Sequence, residues 1–299
     1  MFLSAAVIGR NDNYGGRLNE RATYCLNTLL DTFDEVVYVD WNSPGKPLTD
    51  EISITVNPDR LKTIVVTEAE CRKLLGEKYN SAQKCCAVYA RNVGVRRASG
   101  DVVVSTNIDI IPPRREYLDI LIKEHLGPKD LITITRTDVH IDHLHSFFNE
   151  NKSYQKLRDF MPVFYGVNSI HHKIMSPILE VNKEIFDLAK KQNKATEAAS
   201  VICACGDFQI ARRDMYHEIK GFDESLYKRG CDDTNIQFKI ILAGGTVKGT
   251  TFPPVYHIDH LRNDEEKTPT EDGVTFHENP DTWGFSDVDF VTILGKREP

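Results

Sequence analysis

Nine residues, Asp101 to Asp109 (DVVVSTNID), constrain the fold more than any other stretch of the chain. Val102, Val103 and Val104 form an apolar, β-branched run that reads as a short buried strand. A small polar pair and then an acid, Asp109, follow it, so the strand delivers a carboxylate to a sheet edge. In open α/β sheets ligands bind outside the carboxyl ends of the strands, which makes an acid there a candidate for ligand contact. Asn107, Ile108 and Asp109 form an N-x-D triplet. Alternate residues of an extended segment put two oxygen-bearing side chains on one side, an arrangement suited to a hard divalent cation that also holds phosphates. The competing reading is a turn after a strand, where Asn and Asp are common.

The flanking sequence supplies the rest of such a sheet. Phe2 to Ile8 reads as a first strand, followed by a polar loop from Gly9 to Gly16. A helix then runs through Leu30, with Leu18, Ala22, Cys25, Leu26 and Leu29 at helical spacing. Arg10, Asp12, Arg17 and Arg21 lie in this loop and turn, where they either meet the phosphates of a nucleotide or solvate a surface. Glu35 to Asp40 is a second strand, and Asp40 a second edge carboxylate before the turn Trp41–Gly45. Lys62 to Val66 is a third strand, and 82–98 suits a helix packed on a sheet and closed by Ser99-Gly100. Strands alternating with helices predict an α/β fold with a mostly parallel, doubly wound sheet. No G-x-G-x-x-G or G-x-x-x-x-G-K-[ST] follows any strand, which counts against dinucleotide and P-loop sites.

Beyond Pro112-Pro113 the pattern predicts a helix to about Glu124 and a strand from Leu131 to Thr135. Residues 137–182 lose clear periodicity. They hold His140, His143 and His145, read as a polar loop with incidental histidines, and then Phe147, Phe148, Tyr154, Phe160, Phe164 and Tyr165, which suit a lid or binding wall. A helix over 183–193 follows. From Cys203 the expected order is a strand at Phe208 to Ala211, a helix from Asp214, a turn at Gly221 to Glu224, and a helix after Cys231. Asp232 and Asp233 stand at the start of that last helix, where a carboxylate caps free N–H groups and meets the helix dipole. Capping needs one acid, not two. Thr246 to Phe252 and Val255 to His260 close the domain, and the latter presents His257 and His260 with two residues between them, a spacing that lets both imidazoles approach one ion. The polar tail from Leu261 reads as a mobile loop, with Trp283 as its docking anchor.

Composition excludes several alternatives. The 44 acidic and 37 basic residues give a net charge of −7, which argues against a general polyanion-binding surface and against nucleic acid as a partner. Seven cysteines, without paired C-x-x-C spacing, argue against a disulfide framework or zinc ribbon and fit a reducing compartment. No apolar run approaches a membrane span, so the expectation is a cytoplasmic protein, peripheral at most.

Three segments resemble, in order, the motifs of one enzyme family. VVYVDWNS (36–43) is similar to the VVDDGS strand end of family 2 glycosyltransferases. ARNVGVRRASGDVVVSTNIDIIPP (90–113) resembles their ARNxGxxxAxGxxxxxxDxDDxxxP segment, and GFDESLYKRGCDDTNIQFKI (221–240) their GFDExxxxWEDxDLxxRL segment. The last also resembles the GWGGEDxxL of the galactosyltransferase and chondroitin-polymerase type. The resemblance implies a GT-A fold over residues 1–260 as a single catalytic domain, with an acceptor-side insertion at 137–200 and a C-terminal loop or tail at 261–299 packing on it. It implies a nucleotide-sugar donor, a glycan or glycoconjugate acceptor, and Mn²⁺ or Mg²⁺ as cofactor.

Residue by residue, Asp40 stands where the family has an acid facing the nucleobase, which implies uracil and hence a UDP-sugar. Asp109 matches the last acid of the D-x-D motif that holds the metal. Asn107 departs from that motif's first acid, leaving it a ribose or sugar contact. Arg10 and Arg91 complete the nucleotide-binding set. Asp233 matches the catalytic base, and Asp232 stands where a Glu holds the acceptor. Cys231 replaces the usual Trp or Gly. His257 and His260 resemble the C-terminal metal ligands. Two rival readings are a nucleotidyltransferase on a similar sheet and a catalytically silent sugar-binding module.

Overall fold

The structure is a computed structural model that describes residues 1–79, 85–157, 178–191, 206–227, 232–261 and 277–295. At its centre β1 (Leu3–Gly9) is buried along its whole length, and it pairs in parallel with β2 (Glu35–Trp41) on one side and β4 (Val102–Asn107) on the other. β3 (Leu61–Val66) extends the parallel set beyond β2. A strand covered on both faces needs apolar side chains in both directions, which is why LSAAVIG and VVVST read as near-continuous runs. Helix α1 (Leu18–Thr32) covers one face, where Leu18, Ala22, Cys25 and Leu29 join Ala5, Val7 and Val36. On the opposite face, α4 (Ala87–Arg97) packs Val88, Tyr89 and Val93 against Ala6, Val37 and Val39. Its approach depends on Gly94, since a Cβ there would lie 3.2 Å from Val39 and 3.3 Å from Ala6. The doubly wound expectation is met.

Past β4 the sheet changes direction. β5 (Ile110–Ile111) is short; β6 (Leu131–Val139) and β7 (Leu179–Val181) come next in the chain, then β8 (Phe208–Arg212), β9 (Val247–Ile258) and β10 (Val291–Leu294). Among the described residues the sheet runs β10-β3-β2-β1-β4-β8-β6-β9-β5, with β7 on β9. β8 lies antiparallel between β4 and β6, while β6 and β9 are parallel. The two segments expected at 246–252 and 255–260 are one strand, β9. Residues 291–294 return to the sheet as an edge strand on β3. Trp283 is fully buried, with the Arg96 guanidinium 4.6 Å from its ring centroid.

The histidine run corrects the loop expected there: His140 caps helix α6 (Ile141–Asn151), its Nδ1 accepting from the Asp142 N–H. The helical period was hidden because only Ile141 and Leu144 are buried. Phe147, Phe148 and Tyr154 pack on the small core that α6 makes with β9; Phe160, Phe164, Tyr165, Cys203, Cys205 and Cys231 lie outside the described residues. Among the described residues no helix is long and apolar enough to cross a membrane.

Candidate active site

Asp109 sits two residues beyond Asn107, the last residue of β4, at the carboxyl end of the parallel set. Its position is locked by β9: Ile110 pairs with His257, and the Ile258 N–H donates to the Asp109 carbonyl at 2.9 Å. This pairing carries both histidines to the acid. His260 Nε2 is 3.2 Å from Asp109 Oδ2 and His257 Nε2 is 3.8 Å from it. Arg21 Nη1, fully buried on α1, donates to the same oxygen at 3.2 Å. Burial pushes the Asp109 carboxyl up, but the His260 hydrogen bond and the charges of His257 and Arg21 outweigh it and hold it below the ordinary carboxylate value.

These contacts all go to Oδ2, whereas Asp109 Oδ1 is buried with no hydrogen-bond partner among the described residues. A buried carboxylate oxygen without a donor is costly unless a cation meets it. One ligand atom from each of Asp109, His257 and His260 falls within 4.8 Å of the others. The residues therefore fit a divalent ion, and a mixed imidazole and carboxylate set suits Mn²⁺ better than the oxygen-seeking Mg²⁺.

The three groups open onto a cleft of about 580 Å³. Arg10, Tyr14, Arg21, Asn107, Arg136 and Asp207 also line it. Arg10 Nε lies 3.4 Å from Asp12 Oδ2, and among the described residues its Nη1 has no hydrogen-bond partner. The loop before α1 is tied down by Arg21, whose Nη2 donates to the Tyr14 carbonyl and whose Nε donates to that of Gly16 at 3.3 Å. Gly15 there has φ +71°, and a Cβ on it would lie 2.4 Å from His260 Nδ1. Only glycine lets the backbone pass so close to the imidazole.

Asn107 is held between two partners. Its Oδ1 accepts from Arg91 Nη2 at 2.8 Å, and its Nδ2 donates to Asp207 Oδ1 at 2.5 Å. Asp207 reaches it because β8 is antiparallel to β4 with Thr106 opposite Phe208, so that Asn107, one residue on in the chain, comes opposite Asp207, one residue before Phe208. Arg136 Nη1 caps Asp207 Oδ2. Thus a carboxylate stands beside the Asn107 amide.

Arg91 joins the strand end to the second acidic pair: Nη1 donates to Ser105 Oγ at 3.0 Å, and Nε lies 3.3 Å from Asp232 Oδ2. Asp233 is the second residue of the helix Asp232–Leu242, and its oxygens accept from the Thr234 N–H at 2.8 Å and the Gly206 N–H at 3.2 Å. The helix terminus does not dominate its ionisation. Burial first, then the charge of Asp232, push its carboxyl up to about 6. The neighbouring Asn92 binds the Phe222 backbone through both amide atoms, and its Nδ2 also donates to Glu224, so the ARN and GFDE segments meet in space.

Asp40 lies apart from the cleft-lining residues. It is buried at the end of β2, where Oδ2 accepts from the Leu48 N–H at 2.8 Å and the Tyr38 hydroxyl at 3.2 Å. Burial raises its carboxyl above the ordinary value despite hydrogen bonds from Ser43, Leu48 and Tyr38. Of the residues named from sequence, Asp109, His257 and His260 converge, Asn107 and Arg10 share their cleft, and Arg91 and Asp232 form an adjoining pair beside Asp233. Asp207, Arg136 and Asp138 were not singled out. Arg21 was noted only as one of several loop cations.

No family model matches the sequence, and no curated protein matches it. Solved structures do. Residues 1–349 of S. aureus TarS in complex with UDP-GlcNAc match with 20% identity and TM-score 0.49, over 89% of this chain and 60% of that one. The mannosyltransferase PcManGT from Pyrobaculum calidifontis, in complex with GDP-Man and Mn²⁺, matches with 15% identity and TM-score 0.47, over 88% and 58%. GalNAc-T7 with UDP, GalNAc and Mn²⁺ matches with 13% identity and TM-score 0.51, over 87% of this chain and 44% of that one. The chain therefore spans well under two thirds of each of these proteins. What it shares with the last is the architecture, an α/β GT-A fold with a central, largely parallel sheet flanked by helices.

Proposed function

We propose that the chain is an inverting, metal-dependent glycosyltransferase. It would move a sugar from a nucleotide sugar, a UDP-sugar by the resemblance at residues 36–43, to a hydroxyl of a glycan or other acceptor. The catalytic domain would be residues 1–260, with 137–200 on the acceptor side and 261–299 packing on it. The observation that carries the reading is the convergence of Asp109, His257 and His260 on the floor of the cleft, with Asp109 Oδ1 left unpaired. The GT-A fold supports it, since GalNAc-T7 holds UDP, GalNAc and Mn²⁺.

Asp109, His257 and His260 would hold the ion. When bound, it supplies Lewis-acid neutralisation of the charge that develops on a departing diphosphate. Arg10 and Arg136 line the cleft, and guanidinium groups suit phosphate oxygens. Asp233 takes the proton of the acceptor hydroxyl as that oxygen attacks the anomeric carbon from the face opposite the leaving group, which inverts the configuration. A base near 6 is ionised at neutral pH yet still basic enough to draw a proton. Adjacent side chains on one helical turn point about 100° apart, so Asp232 cannot share that role and holds the acceptor instead.

The test is release of UDP from a panel of UDP-sugars in Mn²⁺, with a GDP-sugar as control and EDTA as blank. Turnover of a UDP-sugar that EDTA abolishes is expected. Turnover confined to the GDP-sugar would overturn the nucleobase assignment, and transfer of a nucleotidyl group would overturn the reaction class.

A further inference from the structure

We propose that Asp138 is a positioning residue, which holds the His257 ring with Nδ1 turned away and Nε2 turned to Asp109, and which Arg136 in turn locks in place. The inference rests on the metal reading above. In the parallel ladder of β6 and β9, Asp138 stands beside His257. That register is not the one with which the ladder begins: it is irregular between Ile134 and Arg136 and resumes with Arg136 beside Val255. Such irregularities re-aim side chains next to sites.

His257 Nδ1 lies 2.8 Å from Asp138 Oδ1. An ionised carboxylate only accepts, so Nδ1 carries the proton and the lone pair of Nε2 faces Asp109. Asp138 itself is about half exposed and on its own would rotate freely. Arg136 prevents this, with Nε 3.3 Å from Asp138 Oδ1 and Nη1 on Asp207. Asp207 then binds Asn107. A series of side-chain contacts, from Asn107 through Asp207, Arg136, Asp138 and His257 to Asp109, thus joins strands that meet only through long-range pairing. Carboxylates that orient ligating histidines typically contribute 10–100-fold in metal affinity.

Mn²⁺ binding to the full chain, without nucleotide, is read from the free-ion EPR signal. Asp138→Ala should weaken it ~10–100-fold, and Asp138→Asn should restore most of that loss, because an amide oxygen still accepts from Nδ1–H. Nitrogen NMR of the metal-free protein at alkaline pH, with the signal identified by its loss in His257→Gln, should report the Nδ1–H tautomer in the wild type and a mixture in Asp138→Ala. Undiminished Mn²⁺ affinity in Asp138→Ala, equal losses in the Ala and Asn variants, or an Nε2–H wild type would each overturn the inference. His257→Ala and Asp109→Ala separate the two levels: if they abolish binding while Asp138→Ala does not, only the positioning role falls. If they too bind like the wild type, the metal reading falls with it.

Discussion

Replacing Asp233 by Asn should abolish turnover while leaving the protein as stable as before, or more so. The carboxyl is raised from its ordinary 3.8 to about 6 by burial and by the charge of Asp232. At ~1.4 kcal/mol per tenfold change in the proton equilibrium, holding the ionised form costs up to ~3 kcal/mol, less whatever water screens at this partly buried position. An amide carries no such cost. It does give up one of the two backbone N–H donors, from Thr234 and Gly206, a loss of ~1–3 kcal/mol. Where screening removes little of the ionisation cost, the net expectation lies between no change and a gain of ~2 kcal/mol at about pH 8.

The sign with pH follows. A group whose folded pKa is raised contributes stability that is present below its unfolded pKa and lost as pH rises through the folded value. The wild type should therefore lose ground to Asp233→Asn between about pH 4 and about pH 6, with the difference constant above that. Denaturant melts across this range read the stability, and single-turnover transfer at saturating donor and acceptor reads the rate, which should fall ~10²–10⁴-fold with UDP affinity preserved. A variant clearly less stable than wild type at high pH would refute the electrostatic reasoning. Near-normal kcat would mean the base lies elsewhere.

Three further outcomes follow from the same geometry. Because Asp232 is part of what raises Asp233, Asp232→Asn should move the acidic limb of the kcat profile to lower pH and raise the acceptor KM; an unmoved limb would contradict the coupling. UDP affinity measured by calorimetry should depend on Mn²⁺ and on Asp109, so equal affinity in EDTA or in Asp109→Ala excludes a metal bridge. Gly15→Ala puts a methyl 2.4 Å from His260 Nδ1 on a backbone at φ +71°, and should weaken Mn²⁺ binding while leaving the melting temperature within a few degrees of wild type. Outside the residues that line the cleft, Glu20 is held at about 2, first by the Arg17 hydrogen bond and, against burial, by His145 as well. Its depressed value makes its contribution present above the ordinary 4.5 and lost as pH falls toward 2, so Glu20→Gln should lower stability at neutral pH by ~0.5–1 kcal/mol for this exposed pair, and not at low pH.

Local chemistry in the sequence was enough to determine the strands that are buried on both faces, the two helices that cover them, and the acid at the end of β4. Covered parallel strands must be apolar throughout, and a strand-end Asp announces itself without knowledge of its neighbours. Convergence of His257 and His260 on Asp109 could be expected from the family pattern, but the contact itself depends on β5 pairing with β9 across more than a hundred residues. Asp207, Arg136 and Asp138 carried no local signal at all. Each is an ordinary polar residue in or beside a strand, and its meaning comes from which strand lies next to it: β8 inserted antiparallel beside β4 brings Asp207 to Asn107, and the irregular β6–β9 ladder brings Asp138 to His257. Strand neighbours are chosen by the global balance of burial and loop closure, which no short window of sequence contains. Arg21 is the intermediate case. Its helical position was legible, but only the folded loop from Tyr14 to Gly16 and the buried Asp109 distinguish it from a cation that merely solvates a surface.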